Sequence, residues 1–202
     1  MSDKKGRWSE IKNMVRKSFY LKLIKNCYKK FVEIIVLKKN ESNSFQILIK
    51  PENISPFTKS LKRNSLVQLE VLNDICVVDY PENIVRFEIN YNLLSVKYNF
   101  RFFLKTYTSS YISSLTNLFD SANWIERECW DMFGIFFVNH PDLRRILTDY
   151  GFEGFPLRKD FPLTGYIEIR YDDESANIVY EPLEMSQEYR LFNFTSPWEK
   201  IK

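Results

Sequence analysis

The sequence predicts an α+β fold: a largely antiparallel sheet with flanking helices, followed by an extended, proline-punctuated C-terminal segment. Three observations predict it. Alternating and β-branched runs cluster in the middle of the chain, between residues 31 and 104. The longer helical patterns stand before and after that cluster, which argues against a doubly wound sheet. Prolines at 141, 156, 162, 182 and 197 then forbid long regular elements in the last third.

Taken in order, residues 8–30 carry a drifting apolar stripe (Ile11, Val15, Phe19, Leu23) and read as a basic helix. Residues 31–37 are β-branched, and the run SFQILI follows after a polar turn, so 31–49 reads as a hairpin. Residues 56–62 read as a short helix capped by Ser55, and ICVVDY as a strand ending at Pro81. Val85, Phe87 and Ile89 alternate with polar residues, as do Val96, Tyr98, Phe100, Phe102 and Leu104. Each run has one apolar face, as in an antiparallel sheet covered on one side. Ile112, Leu115 and Phe119 then line up as the face of a helix opening at 108–110. A second helix is predicted over 122–133, with Asn123 and Glu126 at capping-box spacing, Ser121 as the alternative cap and Gly134 as its stop. Only a helical turn near 143–147 is expected after that. The domain reading is therefore an α+β domain over 1–137, with a basic helical front at 1–30, and an extended arm over 138–202.

Composition narrows the function. The chain has 202 residues, 45% of them hydrophobic, enough for a substantial core. Net charge is +3 but uneven: residues 1–40 hold 12 Lys/Arg against 3 Asp/Glu. That front suits nucleic acid, an anionic surface or an acidic partner, or is a solvated helix face. It has some of the look of a transit peptide, but Asp3, Glu10 and the excess of lysine favour a mature helix. From Tyr171 onward the chain is acidic, yet it keeps Tyr180, Leu183, Met185, Tyr189, Phe192, Phe194 and Trp198. So many large apolar groups require a covering surface, and a partner's surface is favoured over the chain's own.

The chemistry-bearing motifs are mostly absent. There is no P-loop, dinucleotide fingerprint or GxSxG. Cys27, Cys76 and Cys129 are widely spaced, no CxxC occurs, and His140 is the single histidine. Metal and cluster sites within this chain are not expected, nor is a disulfide framework. Cys129 lies on an apolar helix face, where a thiol is inert, and His140 reads as a hydrogen-bonding group.

The residues that demand explanation lie in 123–162, where Glu126, Arg127, Glu128, Asp131, His140, Asp142, Arg144, Arg145, Asp149, Arg158, Lys159 and Asp160 stand beside large apolar side chains. Arg127 and Asp131, four apart, read as an exposed pair, and Glu128, nearer the edge of the apolar face, as a carboxylate that needs a cation from Arg144, Arg145 or Arg158 if packing covers it. Ion-pair architecture is favoured over acid–base pairs such as Glu126 with Glu128 or Asp142 with Asp149. The run LRKD at 157–160 reads as a pinned bend before a phosphate site. No catalytic, cofactor-binding or metal-ligating residue is expected; these residues and Trp198 are read as ion-pair and partner-interface candidates.

The stretch ERECWDMFGIFFVNHPDLRRILTDYGFEGFPLRKDFPL closely resembles the signature of the small hydrophilic, 30 kDa subunit of respiratory complex I, the proton-pumping NADH:ubiquinone oxidoreductase. Weaker likeness extends through DICVVDYP, NYNLLSVKYN, GYIEIRYDD, YEPLE and SPWE, about two-thirds of the chain, but not clearly into 1–40. Phe155 stands where the family more often has histidine. The resemblance implies a non-catalytic subunit of the peripheral arm on the matrix side of the mitochondrial inner membrane. It implies no cofactor in this chain, with FMN and iron–sulfur clusters in neighbouring subunits. The implied partners are the larger quinone-site subunit and the subunit carrying the terminal iron–sulfur cluster, on which a C-terminal arm packs. A different class, a nucleic-acid-binding module using residues 1–40, would bind with steep salt dependence.

Overall fold

The computed structural model describes residues 32–36 and 44–185, together with 187, 189, 190, 192, 194 and 198; residues 32–36, 44 and 45 are described by backbone alone. The basic front at 1–30 lies outside the described residues.

The chain divides into two compact units, one reaching to Phe161 and one beginning at Pro162. The first is organised on a five-stranded sheet of order β1-β2-β5-β4-β3. Strand β1 (Val32–Val36) pairs antiparallel with β2 (Ser44–Ile49), which is the hairpin the sequence predicts. Then β3 (Val71–Asp79), β4 (Phe87–Ser95) and β5 (Phe100–Thr108) form an antiparallel meander. Strand β2 joins β5 in parallel, the single parallel pairing in this sheet among the described residues.

Period-2 patterning decides the faces. Phe87, Ile89, Tyr91 and Leu93 on β4 stand on the same face as Phe100, Phe102 and Leu104 on β5, and all are buried. The alternation at 96–99 does not continue into strand. Val96 is exposed, Asn99 adopts φ 49°, and these residues make the β4–β5 turn instead. Asn73 lies at a bulge in β3, where the register shifts between Leu72 and Asp74.

Two helices cover the apolar face. A 3-10 turn, Pro51–Asn53, leads into α1 (Ile54–Arg63), longer than the 56–62 segment expected and entered at Asn53, not Ser55. Its Ile54, Phe57 and Leu61 are buried in the core, each worth roughly 1.5–3 kcal/mol. Helix α2 (Ala122–Phe133) packs on β3 through Ala122 and Cys129, with Ile125 and Phe133 half-buried against the same core. Gly134 ends it in the left-handed region at φ 73° and returns its N–H to the Trp130 carbonyl.

The helix expected beyond 108–110 does not form. Residues Tyr111–Ser113 are strand β6, parallel to β7 (Phe136–Val138), and a turn follows in which Phe119 N–H reaches the Leu115 carbonyl. Ile112, Leu115 and Phe119 are nevertheless all buried, so their spacing reported burial correctly and the element wrongly. No helical turn forms at 143–147 either, because the backbone N–H groups there serve a carboxylate, described below.

The first unit extends past residue 137, the boundary read from the sequence, because residues 142–161 fold back onto α2. In the second unit β8 (Ile167–Asp172) and β9 (Asn177–Pro182) form an antiparallel hairpin, where the proline spacing had argued for irregular chain. Pro182 ends β9 at its last residue and costs the ladder nothing internal.

Candidate functional site

The sequence places the unusual mixture of charge and bulk at α2 and the loop after it, and the structure shows what holds it. Three ionisable residues of α2 are buried: Glu126, Arg127 and Asp131. Glu128, the carboxylate expected at the edge of the apolar face, is exposed.

Asp131 is 0% exposed and organises the loop. Its Oδ2 accepts the backbone N–H groups of Ile146 (3.1 Å), Leu147 (2.7 Å) and Thr148 (3.0 Å). Its Oδ1 accepts the Thr148 hydroxyl at 2.7 Å and lies 3.3 Å from Arg145 Nη1. Desolvation pushes its pKa up, but the Thr148 hydroxyl and the three N–H groups outweigh that and hold it below the ordinary aspartate value. The exposed Arg127–Asp131 pair read from the sequence is therefore not formed. Asp131 faces inward onto the loop, and Arg127 donates from Nε to the Arg144 carbonyl at 3.2 Å.

Glu126 is also 0% exposed. It does not complete a capping box: its carboxylate accepts the Ser114 hydroxyl (2.6 Å) and the Leu115 N–H (2.7 Å), tying α2 to the β6 exit. Ser121, at the N-cap position, donates its hydroxyl to the Leu72 carbonyl and caps nothing. With no cation paired to Glu126 among the described residues, burial pushes its pKa up to about 7 against the pull of those two donors.

Arg145 continues the loop's bracing, donating to the Gly154 carbonyl at 3.0 Å and standing over the Phe155 ring at 5.1 Å. Arg144 pairs with Asp142 at 2.9 Å, both largely exposed, which contributes little. His140 accepts the Asp142 N–H at Nδ1 and donates from Nε2 to the Asn123 carbonyl, the hydrogen-bonding role read for it. Asp149 accepts the neighbouring Tyr150 N–H and is exposed.

The 157–160 run is a pinned bend. Leu157 N–H reaches the Met132 carbonyl, and Phe161 N–H closes on the Arg158 carbonyl. Arg158 pairs with no carboxylate among the described residues. It donates from Nε to the Phe133 carbonyl at 2.6 Å, and its guanidinium stands over the rings of Phe155 (4.3 Å) and Phe87 (5.3 Å). It is thus an internal brace, where the sequence offered it as an ion-pair or assembly residue. A Cβ on Gly134 would strike both Arg158 and Phe155, so the helix stop must also be small. We expect Arg158→Ala to destabilise the full chain by about 1–2 kcal/mol, with Arg158→Lys recovering little of it, because a lysine cannot stack and donate at once. Equal thermal-unfolding midpoints for wild type and Arg158→Ala would refute this.

Lys159 and Asp160 meet residues the sequence reading did not single out. Asp79, buried at the end of β3, takes a two-point contact from Arg86 (2.6 and 2.7 Å) and the Lys159 N–H at 2.8 Å. Arg86 also reaches Asp160 at 3.0 Å. The Arg86 contact holds Asp79 below its usual pKa. The signal was present in the sequence: a charge closing the apolar strand ICVVDY, seven residues before an arginine. Trp198 lies in the second unit and is 80% exposed.

Among the described residues no three metal-ligating side chains converge. Cys129 is buried with its thiol directed at the Ile75 carbonyl, and burial pushes its pKa up, so it is unreactive. What the geometry builds is a loop braced on α2 by buried charged side chains.

The sequence profile of the family described as "Respiratory-chain NADH dehydrogenase, 30 Kd subunit" matches residues 47–167. The chain belongs to this 30 kDa subunit family. NADH-ubiquinone oxidoreductase subunit 9 of Acanthamoeba castellanii is 71% identical over 189 residues, covering 94% of this chain and 97% of that protein. Subunit 9 of Reclinomonas americana is 53% identical over 192 residues, 94% of this chain and 92% of that one. NADH dehydrogenase [ubiquinone] iron-sulfur protein 3 of Solanum tuberosum is 59% identical over 142 residues, 69% of this chain and 75% of that one. A solved structure, the trypsin-resistant fragment (1-134) of Nqo5, aligns with a TM-score of 0.52 at 27% identity, covering 63% of this chain and 99% of that one. A chain of the membrane-bound sulfane sulfur reductase, an archaeal respiratory membrane complex, aligns with a TM-score of 0.61 at 19% identity and shares the fold.

This 30 kDa subunit is accordingly a subunit of an enzyme complex, NADH-ubiquinone oxidoreductase, and has other subunits of that complex as partners. No helix among its described residues is long and apolar enough to cross a membrane. The plant relative's name includes an iron–sulfur protein, but the residues here do not fit a cluster. A cluster needs about four thiolate or histidine ligands, and this chain has three cysteines and one histidine. Of these, Cys129 and His140 already have structural bonds. Phe155 is a packing position between Trp130, at 5.9 Å, and Arg158.

Proposed function

We propose that this chain is a cofactor-free structural subunit of the peripheral arm of complex I. It supports NADH-to-quinone electron transfer by fixing the shape and position of its neighbours, on the matrix side of the mitochondrial inner membrane. Its proposed neighbours are the larger quinone-site subunit and the subunit carrying the terminal iron–sulfur cluster. Redox chemistry belongs to FMN and clusters held by other subunits.

One observation carries the reading. In the second unit the β8–β9 register sets Ile167 opposite Pro182, Ile169 opposite Tyr180 and Tyr171 opposite Ile178, so all six share one face. The three isoleucines and two tyrosines are between 53% and 62% exposed. The other face carries Glu168, Arg170, Asp172 and Glu181, with Arg170 held by Glu181 at 2.8 and 2.9 Å. A lone two-stranded ribbon is marginal in water. One with a fully apolar face is a half-built layer, and another protein surface completes it.

We expect Ile169→Lys with Tyr180→Lys to remove the subunit from the assembled complex, while Val179→Thr, on the opposite face, leaves assembly normal. Native electrophoresis of solubilised membranes reads the outcome. Full incorporation of the double variant would overturn the reading.

A further inference from the structure

A second surface, in the first unit, has its own unmet requirement. Arg127 is 8% exposed, yet among the described residues its one hydrogen bond runs from Nε to a backbone carbonyl, and it has no carboxylate in ion-pair range. Its natural partner by spacing, Asp131, is fully engaged by the 146–148 loop and Arg145. Three residues before Arg127, Trp124 stands 67% exposed, with the Arg127 guanidinium 5.3 Å from its ring centroid.

Each group specifies part of a ligand. The guanidinium has a planar fork of donors left over, which fits a carboxylate. A buried charge without an anion is costly, so a site holding one is completed from outside. In a multisubunit complex the anion at hand is an Asp or Glu side chain of a neighbouring subunit. Trp124 supplies the large apolar plate that, with arginine, characterises interface anchors.

We propose that Trp124 and Arg127 form a docking point for an acidic side chain of an adjoining subunit. The assignment rests on the chain's place in a multisubunit complex but is independent of the β8–β9 hairpin, which lies in the other unit.

The test uses the assembled complex. A photo-crosslinking phenylalanine analogue replaces the exposed Glu128, one turn beyond Trp124, and a second preparation carries it at Tyr180 on the hairpin. The expected result is an adduct from position 128 to a peptide of another subunit containing Asp or Glu. Arg127→Gln should lower its yield about tenfold, and so should Trp124→Ala, whose exposed side chain spares the fold. The Tyr180 adduct should be unchanged by either. An inter-subunit adduct from Tyr180 but none from position 128 overturns the docking point and leaves the structural reading standing. No adduct from either position overturns both. An adduct from 128 to a peptide lacking acidic residues, to nucleic acid, or insensitive to both substitutions overturns the carboxylate assignment.

Discussion

Replacing Asp131 with alanine is expected to lower the stability of the full chain by about 3–5 kcal/mol, a fall in thermal midpoint on the order of 10 °C. The magnitude follows from what one carboxylate holds. Three consecutive backbone N–H groups, the Thr148 hydroxyl and Arg145 all converge on it from a loop with no helix or strand of its own. Removing it strands those donors in a site closed to water, and an unsatisfied buried group costs about 1–3 kcal/mol. Asp131→Asn should rescue only a minor part, because its amide nitrogen would meet donors. Since the folded state holds this carboxylate's pKa below the unfolded value, its contribution is present at neutral pH and is lost as pH falls below about 4. Hydrogen exchange at residues 146–148 localises the effect. Native protection there in Asp131→Ala would show that the carboxylate does not organise the loop.

Glu126 is expected to give the opposite pH dependence. Its folded pKa of about 7 exceeds its unfolded value, so the folded state binds the extra proton between them. Stability should be greatest below about pH 4.5 as far as this group is concerned. It should fall as pH rises through about 7, by about 3 kcal/mol in all. Glu126→Gln cannot ionise and keeps an acceptor for Leu115 N–H, so its stability should be flat over the same window and should match or exceed wild type at pH 8. Denaturant unfolding at half-unit steps between pH 5 and 8 compares the two. Parallel curves would mean that Glu126 stays ionised throughout and that its environment is wetter than its burial implies.

These two carboxylates also mark where the sequence stops being legible. The fold class, the hairpin at 31–49, the alternating strands of an antiparallel sheet and the apolar face of α2 follow from periodicity, because burial on one face imposes period 2 or 3.6 directly, and Gly134 marks the end of α2. The segment 108–119 shows the limit. Ile112, Leu115 and Phe119 have helical spacing, but three buried residues over eight positions are equally served by a short strand followed by a turn. At the site, local spacing paired Arg127 with Asp131 and left Glu126 to a cap. The structure instead uses partners 11 to 17 residues away for both carboxylates and 74 away for Asp160. Spacing along a helix carries no information about such contacts. The family signature could be read without them, since a resemblance transfers which residues recur and not what each one touches.

The bracing of Arg170 by Glu181 and Asp172 has a consequence beyond the small stability such exposed pairs contribute. In a two-stranded ribbon, slipping one strand by a single residue turns every side chain of that strand to the other face. A guanidinium clamped across the strands makes that slip costly, because the Glu181 carboxylate on β9 would then face away. The charged side, which touches no neighbour in this reading, thereby decides which side chains the ribbon offers on its reverse.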